Sequence, residues 1–297
     1  MVKNRNPERL YLPNHIEKEI LIMNITTFKK ITAFSIALLT GTAAMTGCGS
    51  ETDENTIRVG VCAGPYGDMF KEAIEPALEE QGYEIDITEF SDYVQPNNAL
   101  AENEIDVNMF QHSVYLKKFS EEHSLELTYI TEIPTAAMGV FSNKYAALEE
   151  AADGAAVAIP NDDTNLARAL QVLAQTGIIT IDPDIDASKA TVNDISENPK
   201  NLQFTEVSAE ILPSVLDSTD FAVINGNYAL SAGLKLSDAV YNEELADGYF
   251  NVIAVRTEDA ESEFAKDIVE IVHSDEFRAV IEDENNQYSA FARPAAY

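Results

Sequence analysis

The sequence predicts an α/β fold built as two lobes around a shared cleft. From residue 57 onward, short β-branched runs alternate with segments of helical period. The alternation restarts near residue 155, with no Gly/Ser-rich or Pro-rich linker between the two series. Such alternation favours largely parallel sheets, because a helical crossover lets the next strand run in the same direction. The chain has 297 residues, 45% of them hydrophobic, which is enough for two compact lobes.

The first series opens with residues 57–63, a β-branched run that ends in Gly64-Pro65, as a buried strand entering a turn does. Residues 68–81 carry Met69, Phe70, Ala73, Ile74, Ala77 and Leu78 at helical spacing and stop at Gly82. Residues 84–90 read as a strand, 96–102 as a short helix, 105–110 as a strand and 113–123 as a helix. In the second series 155–159 is a strand, Asn161 to Thr164 offer capping side chains, and 165–175 is a helix closed by Gly177. A strand at 204–207, a helix at 209–216, a buried strand at 221–225 and a strand at 250–255 follow. Helices at 261–273 and 275–282 come after it. Ligands in open α/β sheets sit beyond the carboxyl ends of the strands. Those ends carry Gly64-Pro65-Tyr66, Phe110-Gln111-His112, Pro160-Asn161-Asp162 and Asn225-Gly226-Asn227.

Residues 23–47 have the makeup of an export signal. Lys29 and Lys30 precede an apolar run, 31–39, too short to span a bilayer as a helix. Small residues follow, then Met45-Thr46-Gly47-Cys48. This ending resembles the lipobox of bacterial lipoproteins, whose cysteine is acylated and becomes the mature N-terminus. Met45 stands where leucine is more usual. The resemblance implies a lipid anchor on Cys48, on the extracytoplasmic face of the cell membrane, with residues 48–56 as a polar tether. Glu17, Lys18 and Glu19 have only purine codons, shortly before Met23, so a ribosome-binding site read as protein is expected there. Residues 1–22 are accordingly expected to be an upstream extension outside the fold.

Composition narrows the partners. Residues 48–297 hold 13 Lys/Arg against 48 Asp/Glu, a net charge of −35, which argues against nucleic acid or anionic lipid bound through a basic face. The acids are spread along the chain, as on a surface adapted to salt or alkali. The cysteines are Cys48 and Cys62, so with Cys48 acylated no disulfide is expected.

Catalytic signatures are missing from the sequence. It has no nucleophile elbow, phosphate loop or paired-cysteine zinc pattern, and His112 and His123 lack metal-pair spacing. The run from Asp182 to Asp186 hints at a calcium loop, but Ala187 replaces the required glycine and Asn193 the bidentate glutamate. A binding protein with no metal or cofactor is expected, not an enzyme. Polar residues at strand ends are the candidates. Arg168, one turn into a helix, suits a ligand carboxylate, or else neutralises Asp162 or Asp163. Asn225 ends an apolar strand and serves either a ligand or a turn, while Asn251 lies inside a strand and has no turn to make. Tyr66, Tyr93, Phe110, His112 and Tyr115 either fill the core or line a pocket.

Several motifs in order carry a more specific resemblance. They are Ser91-Asp92-Tyr93-Val94-Gln95-Pro96-Asn97, the run Asp106 to His112 with Tyr115-Leu116, and Pro160-Asn161-Asp162 with Thr164-Asn165-Leu166-Ala167-Arg168. Glu197-Asn198-Pro199-Lys200-Asn201-Leu202 and Val223-Ile224-Asn225 complete the set. Together they resemble the methionine-binding lipoprotein family, the extracytoplasmic substrate-binding components of methionine ABC importers. The resemblance implies a two-lobed periplasmic-binding-protein fold with two inter-lobe crossovers. It places 57–141 and 251–297 in lobe one and 142–250 in lobe two. It further implies methionine as ligand and an importer permease as partner. Arg168 would hold the α-carboxylate, Asn225 and Asn251 would bond the zwitterion, and the aromatic set would surround the side chain. The family commonly has histidine where this chain has Tyr66, and a proline before the equivalent of Met138-Gly139. Both departures border the implied pocket and leave a methionine-containing dipeptide or another apolar amino acid as alternative cargo. A surface adhesin and a hydrolase using His112 are rivals from other classes.

Overall fold

A computed structural model describes residues 55–295 and 297. The expected upstream extension, the signal peptide, Cys48 and residues 49–54 lie outside the described residues.

Strand β1 (Thr56–Cys62) leads into helices α1 (Pro65–Ala73) and α2 (Glu75–Glu80), then β2 (Glu84–Phe90), α3 (Gln95–Ala101), β3 (Val107–His112), α4 (Ser113–His123) and β4 (Leu127–Ile133). The single helix expected over 68–81 is two. Pro76 has no N–H to continue the ladder, so the chain breaks at Ile74 and restarts with Pro76 in the first turn of α2, where no N–H is needed.

After β5 (Gly139–Phe141) come β6 (Ala156–Pro160), α5 (Asp163–Gln175), β7 (Thr180–Ile181), β8 (Ile195–Glu197), β9 (Gln203–Val207), α6 (Leu212–Val215), β10 (Phe221–Ile224), α7 (Gly226–Ser231) and β11 (Tyr241–Asn242). Strand β12 (Asn251–Arg256) and helices α8 (Glu263–Val272) and α9 (Asp275–Glu282) follow.

The strands form two five-stranded sheets, ordered β2-β1-β3-β12-β4 and β11-β5-β10-β6-β9, and a small β7-β8 pair. Both large sheets are mixed, where largely parallel ones were expected. In the first, β12 runs antiparallel to β3 and β4 while β1 is parallel to β2 and β3. In the second, β5 runs antiparallel to β10 and β11 while β6 is parallel to β9 and β10. The reversed strands are the ones the chain forms on arriving from the other sheet. It leaves the first sheet after β4 and joins the second with β5, then leaves after β11 and returns with β12.

The first crossing falls earlier than expected. Gly139–Phe141, placed by the sequence reading at the end of lobe one, pairs with β10 from Gly139↔Ile224 to Phe141↔Ala222 in the second sheet. Its three residues are buried, so the apolar edge of Phe221–Ile224 supplies the partner that a three-residue strand needs.

Each sheet has its own apolar core. Val59, Phe70, Met109, Ile253 and Phe277 belong to the first and Val140, Val157, Leu170 and Phe221 to the second. Strand β3 is buried along its length although it carries Asn108, Gln111 and His112. The burial is tolerated because the amides are paired. Asn97 and Gln111 exchange bonds of 2.8 and 2.6 Å, and Gln111 Nε2 donates to Asn108 Oδ1 at 2.9 Å.

Candidate ligand site

A tight cavity, partly open to solvent, lies between the two sheets. Its wall includes Tyr66, Tyr93, Phe110, His112 and Tyr115, and also Arg168, Asn225 and Asn251, so the structure brings the eight residues predicted for the ligand site together. The reason is topological. Tyr66 follows β1, Tyr93 follows β2, Phe110 and His112 end β3, Arg168 sits in the helix after β6, and Asn225 follows β10. These are carboxyl ends of strands, the rim where open α/β sheets place ligands.

Helix α5 positions the charged group. Asp162 caps it by accepting the Asn165 N–H at 3.0 Å, and Ala169, Leu170 and Leu173 anchor its apolar face in the second core. Arg168 is thereby drawn inside, but not to neutralise Asp162 or Asp163. Its partner is Glu243, which accepts from Nε at 2.8 Å and from Nη2 at 2.6 Å. The two side chains are 4% and 3% exposed, so the pair is buried. Burial pulls the Arg168 pKa down, but the attraction of Glu243 outweighs it and the net shift is upward, so the guanidinium is charged. The ring of Tyr249 lies 5.3 Å from the guanidinium carbon.

Neutral donors and acceptors occupy the rest of the wall. His112 Nδ1 accepts the Tyr115 N–H at 3.1 Å, while Nε2 lies 3.3 Å from Asn165 Oδ1. Burial, with Arg168 adding to it, pushes the His112 pKa down to about 3, so the ring is neutral with its proton on Nε2. Asn225 Nδ2 donates to Asn165 Oδ1 at 2.8 Å, and Asn225 Oδ1 is buried without a hydrogen-bond partner among the described residues. Asn251 holds the end of β3 by donating from Nδ2 to the Phe110 carbonyl at 2.9 Å. The Tyr66 hydroxyl accepts the Ala136 N–H at 3.1 Å, and burial raises its pKa to about 12.

Two contacts close the cleft from opposite sheets. Tyr93 donates to Asn227 Oδ1 at 2.6 Å, and Asn227 Nδ2 donates to the Ala63 carbonyl at 3.0 Å. The second contact requires Gly64. Its φ is +128°, and a Cβ there would lie 2.7 Å from the Asn227 carbonyl oxygen. Tyr93 also packs at a tilt against Phe110, with centroids 5.6 Å apart, and stacks on Tyr228 at 4.8 Å.

Sequence reasoning missed Glu243, Asn165, Asn227 and Tyr249. Asn165 stood at the start of a predicted helix and Asn227 in the strand-end run Asn225-Gly226-Asn227, and neither was singled out from its neighbours. Glu243 gave no signal at all, because nothing local separates it from the other acids of the chain.

Comparison with known proteins fits this geometry. The family model for NlpA lipoprotein matches residues 57–295. The D-methionine-binding lipoprotein MetQ of Salmonella typhi and that of Escherichia coli K12 are each 36% identical over 253 residues, covering 84% of this chain and 93% of theirs. A nutrient-binding protein from Burkholderia cenocepacia, solved bound to methionine, is 37% identical with a TM-score of 0.74, covering 79% of this chain and 97% of its own. From β1 to the last residues of the described fold, this chain belongs to the NlpA lipoprotein family.

Proposed function

We propose that this protein captures methionine outside the cytoplasm and delivers it to an ABC importer while anchored to the membrane through lipid on Cys48. One observation carries the reading: a single cavity joins a buried cation, a buried unpartnered acceptor and an aromatic wall. Arg168 engages Glu243 through Nε and Nη2, which leaves Nη1 without a bond to any described residue and free for a ligand carboxylate. Asn225 Oδ1 suits an α-ammonium. Tyr93, Phe110, His112 and Tyr115 suit an apolar side chain, and a thioether gains about 0.3–1.5 kcal/mol for each aromatic ring it touches. The MetQ relatives and the methionine-bound neighbour support methionine over other apolar amino acids.

Calorimetry on ligand-stripped protein tests the cargo. Methionine is expected to bind more tightly than leucine or a methionine-containing dipeptide, and tighter binding of either competitor would reassign it. The anchor is tested separately. Cys48→Ala should move the protein from the membrane to the soluble fraction, and unchanged detergent partitioning would count against acylation.

A further inference from the structure

Asp162 lies behind the cavity wall, yet it orders the hydrogen bonds of the groups in front of it. An ionised carboxylate only accepts. Asp162 faces Asn165 Nδ2 with both oxygens, at 3.0 and 3.1 Å. Asn165 must therefore turn its NH2 toward Asp162 and its Oδ1 the other way, toward Asn225 Nδ2 at 2.8 Å and His112 Nε2 at 3.3 Å. The His112 ring agrees with that polarity, since its Nδ1 is already an acceptor for the Tyr115 N–H. One N–H of Asn225 is held by Asn165, which fixes which way its amide faces, and its Oδ1 is the buried atom without a partner among the described residues. A buried acceptor left unpaired is unfavourable, and a donor brought beside it by a ligand relieves the deficit.

We propose that Asp162 is a positioning residue that, through Asn165, locks Asn225 as an acceptor and so makes the cavity select ligands carrying an N–H donor, a protonated primary amine above all. This deepens the amino-acid reading above and rests on it. Neither Asp162 nor Asn165 needs to touch the amine for the selection to operate. If the carboxylate becomes an amide, it can donate as well as accept. Asn165 and Asn225 can then turn over together, opposed only by the long 3.3 Å contact from His112, and the acceptor is less firmly enforced.

Calorimetry with three ligands tests this: methionine, 4-(methylthio)butanoic acid, which lacks the amine, and methioninamide, which lacks the carboxylate. The wild type should prefer methionine to the amine-free acid by roughly 10- to 100-fold, the range expected for one buried polar group left unsatisfied. Asp162→Asn keeps a residue that caps helices well, and in it that preference should fall about tenfold. The preference for methionine over methioninamide, which reads Arg168, should stay within about twofold. Asn165→Ala, which retains the Asp162 charge, should lower the amine preference in the same way. If Asp162→Asn lowers it and Asn165→Ala does not, the effect is the charge alone and the relay is wrong. Equal weakening of all three ligands in both variants would also overturn it, since that is what a loosened helix does. A wild type that binds methionine and the amine-free acid equally overturns the relay and leaves the methionine reading standing. A wild type that binds neither overturns both.

Discussion

Glu243 grips Arg168 along one edge of the guanidinium, 2.8 Å from Nε and 2.6 Å from Nη2. Neither partner depends on the other for its place. Glu243 is fixed twice to Met138, whose carbonyl accepts the Glu243 N–H at 2.9 Å and whose N–H donates to Glu243 Oε2 at 3.0 Å. Arg168 is fixed by α5. The pair thus presets which edge of the arginine faces the cavity, and it does so with both charges out of water, where a lone charge is very costly.

Glu243→Gln should therefore destabilise the ligand-free protein, by about 3–5 kcal/mol, because it strands a buried guanidinium. A ligand carboxylate would then be the only available counter-charge. Methionine should raise the unfolding midpoint more in the variant than in the wild type. Denaturant unfolding with and without saturating methionine measures both effects, and a variant as stable as wild type would show that Arg168 finds its compensation elsewhere.

Much of the first core was legible because its strands are β-branched runs bounded by turn residues, as at 57–63 with Gly64-Pro65. Strand β4 was not. Leu127–Ile133 mixes two threonines and a glutamate into an edge strand, and its identity comes from pairing with β12. β5 and β11 have three and two residues, too short for any period, and exist because each finds an edge. The site divides the same way. Strand-end position exposed Asn225 and Arg168 to sequence reasoning. Glu243 was invisible, since its burial is decided by a partner 75 residues away, and Asn165 read only as the first residue of a helix whose cap is Asp162.

His112 ties folding to pH. Its folded pKa is about 3, below the ~6.5 of an exposed imidazole, so between those values the unfolded chain binds a proton that the folded one does not. Stability should be full above pH 6.5 and fall toward pH 3, at up to about 1.4 kcal/mol per pH unit from this residue. Protonating the ring at Nδ1 would remove the acceptor for the Tyr115 N–H and place a cation beside Arg168. To isolate this residue, the useful measurement is the wild-type-minus-His112→Asn stability difference between pH 7 and 5. It should shrink as pH falls, and a constant difference would mean that His112 is not buried as a neutral ring.

Cys62 is buried, with its S–H donating to the Asp92 carbonyl at 3.1 Å, and burial pushes its pKa well up. Thiolate, the reactive form, is therefore scarce. In a Cys48→Ser chain, a thiol reagent should label the native protein slowly and the denatured protein at once. Rapid native labelling would contradict the burial.

Arg168 gives the strongest test of the ligand assignment, and Glu243 changes how it must be done. Removing one partner of a buried charge pair costs ~2–5 kcal/mol in binding, or roughly 30- to several-thousand-fold in affinity. Arg168→Ala should lose methionine by that margin, but it also strands Glu243 and weakens the fold. Arg168→Met with Glu243→Leu removes both charges and keeps apolar volume, a replacement that buried pairs often tolerate. The double variant should fold and still bind methionine weakly. Arg168→Lys should lose affinity too, since an ammonium cannot hold Glu243 in a bidentate pair and reach a ligand from a fixed edge. The chemical counterpart is methioninamide. It should bind the wild type about as poorly as methionine binds the double variant, and it should lose little more in the variant, because the same interaction is already gone. Unchanged methionine affinity in the double variant would remove Arg168 from the site and leave it a structural partner of Glu243.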